Sequence, residues 1–151
     1  MGVQLGRNQD VDDWMKLVEE ISWKFPGLET KEGLNEYRET LLRFIGKDQA
    51  LCVRNDAEVM GVLLFSRGRN MICCLGVSPK YRRSGIASML LDAALEQLDR
   101  SKEITVSTFR EEDEKGVAPR ALYKKFGFVE DELIEEFGYP NQKFVLYPNR
   151  K

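Results

Sequence analysis

The sequence has no histidine, only three cysteines and no long apolar run. Without histidine, Ser-His and Cys-His nucleophiles and most zinc sites are excluded, so a general base must be a carboxylate, a water molecule or a perturbed amine. Cys52, Cys73 and Cys74 form no Cys-x-x-Cys pair, and we expect them to be buried as small hydrophobic side chains. No metal site is predicted.

Charge and hydropathy exclude two further classes of partner. The 23 basic and 25 acidic residues give a formal net charge of -2, which argues against a nucleic-acid partner. No apolar segment approaches the roughly 18 to 20 residues of a membrane span, so no membrane partner is expected. Because residues 1–4 lack the charged and apolar regions of a signal peptide, we expect a cytoplasmic location.

The length and the hydrophobic pattern predict one α+β domain that covers residues 1–151. Hydrophobic residues make up 42% of the chain, which is enough for a sizeable core. Apolar periodicity predicts the order β, α, α, β, β, β, α, β, α, β, β and a mixed, mainly antiparallel sheet. The first two helices are expected to begin after Asp10 and Thr30. The predicted strands cover residues 3–5, 50–54, 59–65, 71–77, 104–108, 129–134 and 143–147, the last helix covers residues 118–126, and a turn is expected at 138–141.

Residues 75–87 are predicted to form a buried strand that passes through a basic turn into a helix. Pro79 ends the strand, and from Ile86 onward apolar residues recur at helical spacing. The helix must therefore begin near Ser84 or Gly85. Its first turn leaves several backbone N–H groups unpaired at the positive end of the helix dipole, which favours an anion.

The residues of this turn suit a phosphate and resemble a known motif. Gly85 and Ala87 leave the backbone accessible, and Arg82 and Arg83 add two positive charges. The pattern Arg82-x-x-Gly85-x-Ala87 resembles the pyrophosphate motif (Gln or Arg)-x-x-Gly-x-(Gly or Ala) of the GNAT superfamily of acyl-coenzyme A dependent N-acyltransferases. Residues 118–128 resemble the late helix of that family, which ends in Leu-Tyr-x-Lys-x-Gly-Phe. The resemblance covers the whole chain.

The resemblance implies a single GNAT-like domain whose sheet is splayed at the fourth and fifth strands, with helices on both faces. Gly76 within a strand indicates a bulge or a close backbone approach. In the resembled fold a bulge here causes the splay, and the pantetheine arm of acetyl-coenzyme A (acetyl-CoA) lies in the opening. The cofactor-binding residues implied are Leu75, Val77, Arg82, Arg83, Ser84, Gly85, Ile86, Ala87 and Ser88.

The implied reaction is transfer of an acetyl group from acetyl-CoA to a primary amine of a small molecule or peptide by direct attack. Tyr123 occupies the position of the family's general acid, near the sulfur. Because a phenol is a weaker acid than a thiol, its role is better described as a hydrogen bond that strengthens as thiolate charge develops. A backbone N–H near Gly76 or Val77 could bond the thioester oxygen. The resemblance also allows a homodimer.

Two departures from the family pattern bear on the mechanism. Many members carry a glutamate base in the strand that here covers residues 71–77, but this strand has no acid, so the base is unassigned. Many members also carry an asparagine early in the late helix, where this chain has Gly116–Pro119.

For the residues that would bind the acceptor amine, the sequence leaves two interpretations open. In the resembled fold the first two helices border it, so Trp14, Trp23, Phe25 and Tyr37 either line a substrate pocket or belong to the core. The acidic loop at residues 110–115 either attracts a cationic amine or is a solvated loop.

Two other functions remain open on the sequence alone. One is a non-catalytic module of the same fold that binds acyl-coenzyme A as a regulator. The other is a dinucleotide enzyme, but Gly-x-Gly-x-x-Gly is missing and the antiparallel strands before the turn do not form a βαβ unit.

Overall fold

The computed structural model describes residues 2–148 and contains seven strands and four α-helices. The predicted order of elements and the α+β class are confirmed. None of the helices in this part of the chain is long and apolar enough to cross a membrane. The strands are β1 (Val3–Leu5), β2 (Ala50–Arg54), β3 (Val59–Ser66), β4 (Met71–Val77), β5 (Ile104–Phe109), β6 (Val129–Glu136) and β7 (Tyr139–Leu146), and the helices are α1 (Val11–Ile21), α2 (Lys31–Gly46), α3 (Ile86–Gln97) and α4 (Val117–Lys125).

The strands form one mixed sheet in the order β1-β2-β3-β4-β5-β7-β6. Only β4 and β5 are parallel, and they pair only at Met71 and Ile72. On its other side β4 stays paired with β3 as far as Val77. From Cys73 onward β4 and β5 therefore separate, which confirms the predicted splay. We call this opening, bordered by residues 73–77 of β4 and 107–109 of β5, the β4–β5 gap.

Helices cover the sheet on both faces, as predicted. Each face has its own apolar cluster, because strand side chains alternate between the two faces. One cluster packs α1 and α2 against the sheet and includes Trp14, Ile21, Leu41 and Val62. The other packs α3 and α4 and includes Phe65, Leu90, Tyr123 and Phe144.

The two N-terminal helices begin where predicted but in different ways. Thr30 accepts a hydrogen bond from Gly33 N–H at 2.9 Å and so caps α2. Asp10 precedes α1, but its side chain does not cap the helix. Its backbone already has helical angles (φ -86°, ψ -12°), whereas a capping side chain usually needs extended backbone. The Asp10 carboxylate instead accepts hydrogen bonds from Arg7 N–H at 2.9 Å and Arg54 Nη1 at 2.7 Å.

The bulge in β4 lies at Cys73 and not at Gly76. Leu64 is opposite Cys74 and Phe65 is opposite Ile72, so Cys73 is the extra residue. Cys52 is buried and Cys74 is half-buried, but Cys73 is exposed, so the expectation that all three cysteines are buried was wrong for Cys73.

The alternative expectation for Gly76, a close approach of its backbone to another element, is confirmed. Gly76 pairs in register with Val62. A Cβ at this position would lie 2.5 Å from Cδ1 of Ile21, so the glycine leaves room for the tip of that side chain beside β4.

The β6–β7 hairpin is longer than predicted. The turn expected at residues 138–141 is formed by Phe137 and Gly138, whose φ angles of 53° and 72° fit a type I′ turn. Tyr139 to Asn141 belong to β7. Pro140 is tolerated there because it has no partner on β5. The last β5 residue, Phe109, pairs with Asn141, so Pro140 lies beyond the end of β5.

Candidate active site

The basic turn between β4 and α3 is held by hydrogen bonds to neighbouring elements. The Ser78 hydroxyl donates to Glu20 of α1 at 2.7 Å. The Tyr81 hydroxyl donates to Glu58 at 2.6 Å, and Lys80 forms an ion pair with the same carboxylate at 2.9 Å. These bonds fix the start of the turn against α1 and the β2–β3 hairpin.

The end of the turn exposes the first turn of α3. Arg83 and Gly85 adopt φ angles of 63° and 82°, and Gly85 is the N-cap residue. The first hydrogen bond of α3 runs from Met89 N–H to Gly85 O, at 3.0 Å. The N–H groups of residues 86–88 precede it and so have no acceptor within the helix. The sequence prediction that the helix begins near Ser84 or Gly85 is confirmed.

A second glycine brings this helix end close to the sheet. A Cβ on Gly61 of β3 would lie 2.5 Å from Cγ2 of Ile86, so only glycine permits the observed packing. Arg82 and Arg83 are exposed, and neither pairs with a carboxylate of residues 2–148. Free N–H groups, the helix dipole and two free guanidinium groups together fit a pyrophosphate.

The β4–β5 gap leaves one side of β4 without a strand partner. Alternate N–H and C=O groups of residues 73–77 point toward β5, which has moved away. Leu75 and Val77 pack against the α3 side of the sheet and are half-buried. An extended ligand that carries amide groups, such as a pantetheine arm, can pair here as an added strand does.

Tyr123 lies at this gap on the α4 side. Its side chain is 4% exposed and packs on Phe128 and Phe144, with ring centroids 5.7 and 6.2 Å away. Burial, and then the nearby Cys74 thiol, raise the pKa of Tyr123 above its ordinary value. Its hydroxyl forms no hydrogen bond within residues 2–148 and stays protonated at neutral pH, so it is available as a donor.

A line of three side chains reaches the same gap from the opposite face. Trp14 Nε1–H donates to the Tyr37 hydroxyl at 3.2 Å, and that hydroxyl lies 3.7 Å from the Cys74 sulfur. Burial raises the pKa of both Tyr37 and Cys74, so this wall is uncharged at neutral pH. Cys74 belongs to the α1–α2 side of the sheet and Tyr123 to the α3–α4 side. The Cys74 thiol nevertheless lies near enough to raise the pKa of Tyr123.

The four aromatic candidates for the acceptor pocket have different environments. Trp14 is fully buried and is a core residue, whereas Trp23 is 59% exposed. Phe25 is packed against the α1–α2 cluster. Tyr37 is the one whose hydroxyl meets a β4 side chain at the gap. Sequence reasoning missed the role of Cys74 in this wall, because the contact joins residues 37 positions apart.

Carboxylates gather beyond the end of β5. Asp113 accepts hydrogen bonds from the Tyr139 hydroxyl at 2.6 Å and from Lys115 N–H at 3.0 Å. It therefore has a structural role and links this loop to the β6–β7 hairpin. Glu111 and Glu112 are exposed, which leaves their charges free to act on a ligand.

Comparison with known proteins identifies the family. Residues 46–130 match the family model for the acetyltransferase (GNAT) domain. This match spans more than half of the chain, so the chain belongs to the GNAT acetyltransferase family and is an acyltransferase with acetyl-CoA as its donor. No curated protein matches the sequence.

Solved structures share the fold at low sequence identity. A GNAT-family acetyltransferase from Bacillus cereus superposes with a TM-score of 0.75 and 21% identity, covering 99% of this chain and 98% of that one. Ard1 from Thermoplasma volcanium has a TM-score of 0.72 and 17% identity, with coverage of 98% and 97%. The PaiA N-acetyltransferase from Thermoplasma acidophilum, solved in complex with coenzyme A, has a TM-score of 0.67 and 17% identity, with coverage of 93% and 96%.

The free guanidinium groups at the basic turn generate a prediction about cofactor binding. Replacing Arg82 with alanine removes one charge-assisted contact to a phosphate, so coenzyme A should bind less tightly by about 1 to 3 kcal/mol. Isothermal titration calorimetry with coenzyme A measures this loss. Arg100→Ala is the matched control, because Arg100 is exposed and lies beyond the far end of α3. Equal affinities in the two variants would place the phosphate site elsewhere.

Proposed function

We propose that this chain is an N-acetyltransferase that transfers the acetyl group of acetyl-CoA to a primary amine of a small molecule or peptide by direct attack, with residues 1–151 forming one catalytic domain. The observation that carries this proposal is Tyr123, a buried side chain beside a strand that has lost its partner; its hydroxyl stays protonated, forms no hydrogen bond within residues 2–148 and is not sealed in the core. A hydroxyl that keeps this access can donate a hydrogen bond to a ligand in the β4–β5 gap.

Two groups of residues hold the donor in this proposal. Arg82, Arg83, Ser84 and Gly85, with the free N–H groups of residues 86–88, bind the pyrophosphate. The backbone of Leu75 and Val77 binds the extended arm across the β4–β5 gap. This orientation brings the thioester end of the arm toward Tyr123 and Cys74, which both lie at the gap.

The neutral amine attacks the thioester carbonyl, so that a C–N bond forms as the C–S bond breaks; coenzyme A leaves as the thiolate, and the protons lost by the amine pass to solvent water. A backbone N–H of β4 near Gly76 or Val77, freed by the gap, donates to the carbonyl oxygen as it gains negative charge. The Tyr123 hydroxyl donates to the sulfur. Its raised pKa makes this hydroxyl a weaker acid than an ordinary phenol, so it stabilises the thiolate by hydrogen bonding and not by full proton transfer.

Direct attack by the amine is supported by the state of the neighbouring thiol. A cysteine nucleophile acts as its thiolate. Burial raises the pKa of Cys74, so its thiolate is disfavoured at neutral pH. An acyl-cysteine intermediate on Cys74 is therefore a poor alternative to one-step transfer.

We propose that the acceptor amine arrives as a positively charged ammonium group and loses a proton before it attacks. Glu111 and Glu112 are free carboxylates on the loop that follows β5, at the open end of the gap. Negative charge there attracts an ammonium group and raises its local concentration.

The proposed role of Tyr123 predicts a loss of turnover without a loss of binding. Tyr123→Phe removes the hydroxyl but keeps the ring that packs on Phe128 and Phe144. The rate of acetyl transfer should fall about 10²- to 10⁴-fold, the range for a positioned proton donor, while coenzyme A affinity changes little. Single-turnover kinetics measure this rate without interference from product release.

Tyr147→Phe is the matched control, because it also removes a tyrosine hydroxyl, one that is exposed and follows Leu146, which pairs with the first residue of β5 at the end away from the gap. It should retain most of the single-turnover rate. Full activity of Tyr123→Phe would show that this tyrosine is only a core residue.

The free carboxylates predict how the acceptor KM depends on charge and salt. Neutralising both in Glu111→Gln with Glu112→Gln should raise KM for a cationic amine several-fold and make it less sensitive to salt. Asp113 is left intact because it holds the hairpin. Glu96→Gln with Glu103→Gln is the control, since these exposed residues lie at the other end of β5 and α3. The same KM and salt dependence in both double variants would indicate a solvated loop without a role in acceptor binding.

A further inference from the structure

Arg120 is a buried cation on α4 that has no role in the mechanism above. Arg120 is only 5% exposed. Nη1 donates to Phe109 O at 3.0 Å and to Gln142 Oε1 at 2.8 Å, and Nη2 donates to Glu130. The three acceptors lie on β5, β7 and β6, so one guanidinium connects α4 to three strands.

Arg120 and Tyr123 both pack on the ring of Phe144. They are three residues apart on α4, and residues at this spacing lie on the same side of a helix. The Arg120 guanidinium lies 4.9 Å from the ring centroid of Phe144, and the Tyr123 ring lies 6.2 Å from the same centroid. A shift of Arg120 relative to β7 would therefore also move Tyr123.

One contact of Arg120 lies at the end of β5 that borders the β4–β5 gap. Phe109, which accepts one of its hydrogen bonds, is the last residue of β5. A guanidinium is planar and offers several donors in fixed directions, so it can define both the position and the rotation of a short helix. The lysine ammonium is a compact group on a flexible stem and holds such a geometry less well. α4 has nine residues, so it is short enough to depend on such an anchor.

We propose that Arg120 is a positioning residue for acetyl transfer: it fixes α4 against the ends of β5, β7 and β6 and thereby sets the Tyr123 hydroxyl at the β4–β5 gap. The inference rests on the proposed role of Tyr123. Arg120 contacts neither β4 nor residues 82–88 in its hydrogen bonds, so it acts on the chemical step and not on cofactor affinity.

A double-mutant cycle tests this coupling. Arg120→Met should lower the single-turnover rate about tenfold or more when Tyr123 is present, but less than about twofold in the Tyr123→Phe background, because residues that act through each other are not additive. Coenzyme A affinity, measured by calorimetry, should stay within about twofold in every variant of the cycle. Lys125→Met is the matched control, since it removes an exposed charge from the same helix and should leave the rate unchanged in both backgrounds.

The outcomes separate the two proposals. If Tyr123→Phe keeps full activity, the proposed role of Tyr123 fails and that of Arg120 fails with it. If Tyr123→Phe is impaired but Arg120→Met lowers the rate by the same factor in both backgrounds, only the positioning role of Arg120 is overturned. A large loss of coenzyme A affinity in Arg120→Met would likewise assign Arg120 to general structure.

A variant that keeps the charge covers the case in which Arg120→Met does not fold. Arg120→Lys retains a buried cation that can still reach one acceptor, and the same cycle is then measured with it. Its expected effect is smaller, a loss of about three- to tenfold when Tyr123 is present and less than twofold in Tyr123→Phe. Equal losses in the two backgrounds would again overturn the proposal.

Discussion

The candidate site depends on the loss of pairing between β4 and β5 after Ile72. Because β3 continues to hold β4 as far as Val77, the strand remains extended while its other side lacks a partner. Backbone N–H and C=O groups strongly favour hydrogen bonding, so an extended ligand with amide groups suits this position. The Cys74 thiol, on one face of the sheet, raises the pKa of Tyr123 on the other face.

Polar contacts hold both borders of the gap where strand pairing no longer does. On the β4 side, the Ser78 hydroxyl is bound by Glu20 and the Tyr81 hydroxyl by Glu58. On the β5 side, Arg120 connects α4 to three strands. Each border is therefore fixed by its own neighbours. Such preorganisation lets donors meet developing charge without a cost of rearrangement during the reaction.

Local signals in the sequence predict much of the fold and part of the site. Pro79 and the helical spacing after Ile86 place the end of β4 and the start of α3 within one residue. The bulge at Cys73 could not be predicted, because the pairing of β3 determines which residue of β4 is the extra one. The turn at Phe137 was missed since phenylalanine at positive φ is not a usual turn signal. Contacts such as Tyr37 with Cys74 and Arg120 with its acceptors join distant parts of the chain, which periodicity does not report.

The central claim is that the donor lies in the β4–β5 gap with its pyrophosphate at the start of α3. Hydrogen–deuterium exchange of backbone amides, compared with and without coenzyme A, tests it directly. The account predicts slower exchange in the presence of coenzyme A for amides within residues 73–77 that point into the gap, and for residues 86–88. Slower exchange in α3 alone, with β4 unchanged, would contradict the claim that the arm pairs with the free side of this strand.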